Sequence, residues 1–191
     1  MKTKLLAGLF FLILFTACKD DDIPEPENDE EIIDYVSLTF TPKSGGVPII
    51  ATAIDPDGEG VKDFEFTDIK LNEATEYQLS IDLRNTATNE DIGDEIREEA
   101  DEHMFFFGFG QDIFTSPTGN GNIDSRQDDV NYDDEDSGGL PLGLKTSWTT
   151  GGVDTEKFRV VLKHQPGVKT ATSDVSVGST DLDLEWNIII Q

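Results

Sequence analysis

The sequence predicts an all-β domain, an antiparallel immunoglobulin-like β-sandwich of about seven strands with one short helix near residues 91–102. Three observations predict it. Apolar and polar residues alternate over several separate stretches, Gly, Asp, Asn and Pro cluster between those stretches, and a single segment carries a four-residue apolar period instead. A closed barrel is compatible with the same spacing, because alternation does not report closure.

In residues 32–41 (IIDYVSLTFT), Val36, Leu38 and Phe40 share one face. Tyr77, Leu79, Ile81 and Leu83 do so in EYQLSIDLRN, and Phe158, Val160 and Leu162 in EKFRVVLKH. Near the C-terminus Leu182, Leu184, Trp186, Ile188 and Ile190 alternate with polar residues. Each is the pattern of a half-buried strand, in which successive side chains point to opposite faces. The stretches 47–54, 103–110 and 142–149 complete the set of seven. Between residues 89 and 102 (NEDIGDEIREEADE) the apolar residues Ile92, Ile96 and Ala100 are four apart, which predicts a helix from Asp91 or Asp94 to Glu102. Its late acids, Glu98, Glu99, Asp101 and Glu102, crowd the negative helix end, so they need water or a cation.

The strands are preceded by an address. Lys2 and Lys4 lead into thirteen mostly apolar residues, 5–17 (LLAGLFFLILFTA), too few for the roughly 20 that span a bilayer and suited to a signal peptide over 1–17. Cys18, the single cysteine of the chain, follows directly. Thr16 and Ala17 before it resemble the lipobox of bacterial lipoproteins, with Phe15 where leucine is usual; the resemblance implies cleavage before Cys18 and lipid on its thiol. The next residues, Lys19, Asp20, Asp21 and Asp22, resemble the export signal of Bacteroidota surface lipoproteins. That resemblance implies an outer-membrane location, anchored by lipid and facing the cell exterior. Residues 18–31 then read as an acylated acidic tether, rich in Pro and Glu, ahead of a β-sandwich domain over 32–191.

Charge narrows the partners. Removing residues 1–17 takes away two lysines and leaves 12 basic against 40 acidic side chains, a net charge of −28. Such a field repels phosphate backbones, which excludes nucleic acid, and attracts cations. The nucleotide motifs GxGxxG and GxxxxGK[ST] are absent, as are HExxH, CxxC and GxSxG, and no two carboxylates are singled out for opposed acid and base roles. The expectation is a binding protein and not an enzyme.

Two ligand sets are legible. His103 opens one predicted strand and His164 closes another, both on the inward face, and Glu99 stands four residues before His103. Two imidazoles and a carboxylate suit Zn²⁺, or Cu²⁺ with an open position. The plainer alternative is that each histidine caps its own strand, since the sequence does not bring them together. The second set is for Ca²⁺: Asp55, Asp57 and Glu59 around Gly58, and Asp133, Asp134 and Asp136 before Gly138, offer hard oxygen ligands on glycine turns. Asp-Gly turns also occur as ordinary hairpin chemistry.

The order EEADEHMFFF, then YDDEDSGGLPLGLKTSWTTG, then FRVVLKHQPGVK, after an opening YVSLTFTPKSGGVPIIATAIDPDGEG, resembles a flavobacterial family of small surface lipoproteins of poorly defined function. Its members are sometimes labelled "type 1 periplasmic binding fold", and are often encoded beside TonB-dependent receptors. The resemblance implies an accessory role in ligand or metal uptake, and places His103 and His164 on histidines of the family pattern. A periplasmic-binding fold needs repeated βα units, which the strand-rich text opposes.

Overall fold

The computed structural model describes residues 32–58 and 64–191. The signal segment, Cys18, the Lys19–Asp22 run, the rest of the tether and Glu59 lie outside the described residues. The elements in order are β1 (Tyr35–Pro42), β2 (Ile49–Ile54), β3 (Glu65–Phe66), β4 (Ile69–Leu71), β5 (Glu76–Asn85), β6 (Glu90–Asp91), α1 (Ile92–Glu98), β7 (His103–Phe109), β8 (Phe114–Ser116), β9 (Asn131–Tyr132), β10 (Lys145–Thr150), β11 (Asp154–His164) and β12 (Ser179–Ile190).

Two sheets form a sandwich. One runs β3-β2-β1-β5-β10-β8, with β6 added to β5 and β9 to β10; the other runs β4-β12-β11-β7. The seven strands expected from alternation are β1, β2, β5, β7, β10, β11 and β12, the longest in the fold. One pairing departs from the antiparallel expectation: β4 runs parallel to β12, with Ile69 beside Ile188. Its chain arrives from β3 in the opposite sheet, so no hairpin fixes its direction.

The inward faces meet in one apolar cluster. Phe107, Phe109, Phe114 and Phe158 pack around Trp148 at ring-centroid distances of 4.7 to 5.5 Å. Fully burying one such side chain contributes about 1.5–3 kcal/mol, with roughly 0.5–1.5 kcal/mol more per well-oriented aromatic pair. Both tryptophans are sealed in the core, where Trp148 Nε1 donates to Thr146 Oγ1 and Trp186 Nε1 donates to the Thr52 carbonyl. β7 is buried on both faces. Phe105, Phe107 and Phe109 join the main core, whereas Met104 and Phe106 meet Val161 in a second cluster lined by Ile123, Tyr132 and Val175. The connection after β8 closes over β7. Its Asn122 accepts the Phe107 N–H, and its Gly121 approaches so closely that a Cβ there would lie 2.0 Å from the Phe107 carbonyl oxygen.

The helix is shorter than its apolar period implies. Asp91 caps it by accepting the Asp94 N–H, Ile92 and Ile96 face the core, and it stops at Glu98. Residues 99–102 form a tight turn, closed by the Glu102 N–H on the Glu99 carbonyl at 2.9 Å. Continuing the helix would stack four acids on its negative end. The turn releases them to solvent and presents the Ala100 carbonyl to the Lys169 ammonium, 2.7 Å away. Water thus meets the need of the acidic run, and Lys169 ties down its backbone.

Candidate metal centre

Antiparallel pairing of β7 with β11 ends at His103 opposite His164. Both side chains follow the inward parity of their strands, so directly facing Cα positions bring the rings together: they stack in parallel, with centroids 4.4 Å apart and planes 5° from each other. The tight turn before β7 then lays its acids around the pair. Glu99 Oε2 lies 4.0 Å from His103 Nδ1, and the Glu99 carbonyl oxygen 3.3 Å from the same nitrogen. Glu102 Oε2 lies 3.2 Å from His164 Nε2, and its own carbonyl accepts the Gln165 N–H.

A third acid arrives from β12. Lys163 pairs with Thr180 but Leu162 pairs with Leu182, so Asp181 is an extra residue in the ladder. Such a bulge re-aims the side chain it carries. Asp181 stands among outward-pointing acids by alternation, yet its side chain is fully buried and its Oδ2 lies 3.7 Å from His103 Nε2.

Burial favours the neutral, ligand-ready form of His103. His103 is only 1% exposed, and burial first, then the neighbouring His164, push its pKa down to about 4. His103 Nε2 and His164 Nδ1 are both buried without a hydrogen-bond donor or acceptor within reach. Among the described residues, Glu99, His103 and His164 form one group whose ligand atoms all lie within 4.8 Å of one another. Two atoms held tetrahedrally at about 2.0–2.1 Å from Zn²⁺ are about 3.3 Å apart, and each imidazole lone pair lies in its ring plane, so the two parallel rings must turn out of their stack and Glu99 must rotate to close the set. Glu99, 53% exposed, has the freedom to make that rotation.

The second expected ligand set behaves differently. Asp133 accepts from Gln78 Nε2 and Ser147 Oγ, and Asp134 from the Gly143 and Lys145 N–H groups. Asp136 Oδ1 accepts the Gly138 and Leu140 N–H groups, and its Oδ2 takes the Lys169 ammonium. These carboxylates shape the loop from three directions instead of converging on one cation. In the other loop Asp55 accepts the Asp57 N–H, while Asp57 itself is exposed. That contact is turn chemistry, with Gly58 at a φ of 71°.

No family model, curated protein or solved structure matches the chain. Of the residues around the histidine pair, sequence reasoning supplied Glu99, His103 and His164. It passed over Glu102, which is adjacent to His103 and had no pattern to single it out. Asp181 carried no signal at all, because alternation assigns it to the outer face. Lys169, whose ammonium bonds both Asp136 and the Ala100 carbonyl, was equally silent in the sequence.

Proposed function

We propose that the protein is a lipid-anchored binding protein of the outer-membrane surface that captures a divalent transition metal, Zn²⁺ or Cu²⁺, as accessory to a TonB-dependent uptake receptor. The observation that carries the metal half is the convergence of Glu99, His103 and His164 within 4.8 Å, with the His103 ring held neutral by burial and the Glu99 carboxylate half exposed. The address rests on the resemblance of Cys18 and the Lys19–Asp22 run to exported lipoproteins. The strongly acidic surface supports capture, since it raises the local concentration of cations. In this role the chain binds and presents; it does no chemistry on its ligand.

Equilibrium dialysis against Zn²⁺ and Cu²⁺ tests the metal half, comparing the protein with its His103→Ala/His164→Ala variant. Stoichiometric uptake by the first and none by the second is expected. Equal uptake by both would remove the histidines from the reading.

A second reading draws on the same contacts. Glu102 to His164, Lys169 to Asp136 and Gln165 to Glu102 fasten the turn after α1, the acidic loop and the β11–β12 connection into one knot. On this reading the protein is a structural or adhesive surface module. It predicts a melting temperature indifferent to Zn²⁺.

A further inference from the structure

Each imidazole of the pair has one nitrogen turned toward a carboxylate from a different segment. His103 Nε2 faces Asp181 on β12, and His164 Nε2 faces Glu102 in the turn before β7. The opposite nitrogens are His103 Nδ1, which looks toward Glu99, and His164 Nδ1, which is buried and bonded to nothing. A metal-ligating histidine commonly donates its second N–H to a carboxylate, which fixes the tautomer and raises the basicity of the ligating nitrogen. Here both rings face a carboxylate on the same atom, Nε2, within hydrogen-bond distance for His164 at 3.2 Å and just beyond it for His103 at 3.7 Å.

We propose that the site binds its divalent transition metal through the Nδ1 atoms of His103 and His164 and the carboxylate of Glu99, with Asp181 and Glu102 as positioning residues that hold the two Nε2–H groups. This assignment rests on the metal-binding reading above. It explains two things at once. The first is the bulge, because without the extra residue in β12 no acid reaches His103 Nε2. The second is the pairing in trans: the acid beside His103 in the chain serves His164, and the acid on the strand next to His164 serves His103. The 3.3 Å contact of His103 Nδ1 to the Glu99 carbonyl, which can only accept, places the proton on Nδ1 in the metal-free ring, so metal binding must break this long contact and move the proton to Nε2. Two nitrogens and one carboxylate make a borderline donor set, which suits Zn²⁺ and Cu²⁺ over Ca²⁺ or Mg²⁺.

Histidine occurs only twice in the chain, so its nitrogens are readable one by one. The protein labelled with ¹⁵N in histidine alone is titrated with ZnCl₂, and long-range ¹H–¹⁵N spectra assign the four ring nitrogens. Both Nδ1 signals are expected to move to metal-bound positions, while both Nε2 atoms become firmly protonated. Coordination through Nε2 of either ring would overturn the assignment and leave the metal reading standing. No shift at any ring nitrogen would overturn both. For the positioning roles, Asp181→Asn and Glu102→Gln are each expected to weaken Zn²⁺ binding roughly 10–100-fold, with Nδ1 coordination retained. Affinity unchanged in both variants would remove the two acids from the centre. Glu102 is partly exposed, so its variant gives the answer even where Asp181→Asn fails to fold.

Discussion

The Lys169 ammonium lies 2.9 Å from the Asp136 carboxylate, with the two side chains only 1% and 3% exposed. Burial pulls the lysine pKa down, against the opposing pull of Asp136. Burial alone would raise the aspartate, but the Leu140 N–H, Lys169 and the Gly138 N–H together hold it below the usual range. Removing one member of a buried pair strands the other charge. Lys169→Met and Asp136→Asn are each expected to cost about 3–5 kcal/mol in urea unfolding. Replacing both residues with apolar side chains should recover only part of that loss, since the Gly138 and Leu140 N–H groups and the Ala100 carbonyl lose their partners, and a double variant no better than the singles would contradict this account.

The metal-free protein is expected to lose stability as pH falls from about 6.5 toward 4. The carboxylates of Glu99 and Asp181 lie 4.0 and 3.7 Å from the ring of His103; the Glu99 carbonyl and the Glu102 carboxylate favour its charge, while burial, His164 and Lys169 oppose it and win. The folded pKa near 4 thus lies below the unfolded value of about 6.5, so between them the unfolded chain holds more protons and stability rises with pH. The contribution is fully present above about 6.5 and gone below about 4, on the order of 3 kcal/mol in all. Many acids titrate in the same window. The measurement is therefore the difference in unfolding free energy between the protein and His103→Gln at pH 7 and pH 4.5. A parallel pair of profiles would refute the assignment.

Gly178 stands at a φ of 75°, and a Cβ there would lie 2.0 Å from the carbonyl oxygen of His164. Gly178→Ala is expected to combine left-handed strain, about 1–2 kcal/mol, with displacement of the end of β11. Gly167, at a φ of 66° with open space around it, isolates the strain alone. Gly178→Ala should therefore be the more destabilising of the two in thermal melts, and the one that also lowers Zn²⁺ uptake.

Trp148 is fully buried and touches four phenylalanine rings. Trp148→Ala should cost about 3–5 kcal/mol through lost transfer energy and the cavity left behind. A carbohydrate ligand would not quench Trp148 or Trp186 in the native protein, since neither ring is accessible. Fluorescence titration with simple sugars checks that.

The long strands were legible because period-two alternation is a local signal that survives without knowledge of the partner strand. Val36, Leu38 and Phe40, or Leu182 through Ile190, announce their face by themselves. The inward parity of His103 and His164 came from the same source. What alternation does not carry is pairing, so the direct apposition of the two rings had to await the β7–β11 register. Phe106 and Met104 have outward parity and are nonetheless buried, because a distant connection covers them. The helix start was legible from Asp91, whereas the turn that follows its end is held by Lys169, some seventy positions away in sequence. The acids at 133, 134 and 136 have the composition of a cation loop, but backbone N–H groups, the side chains of Gln78 and Ser147 and one lysine claim them first.

The bulge at Asp181 has a genetic consequence. On either side of it the β11–β12 ladder keeps an unbroken register, Leu162 with Leu182 and Lys163 with Thr180. Excising that one codon would join two halves already in phase, leaving each flanking side chain on its present face. The acid proposed to steady His103 is thus gained or lost by a single in-frame insertion or deletion, with no compensating change required along the rest of β12.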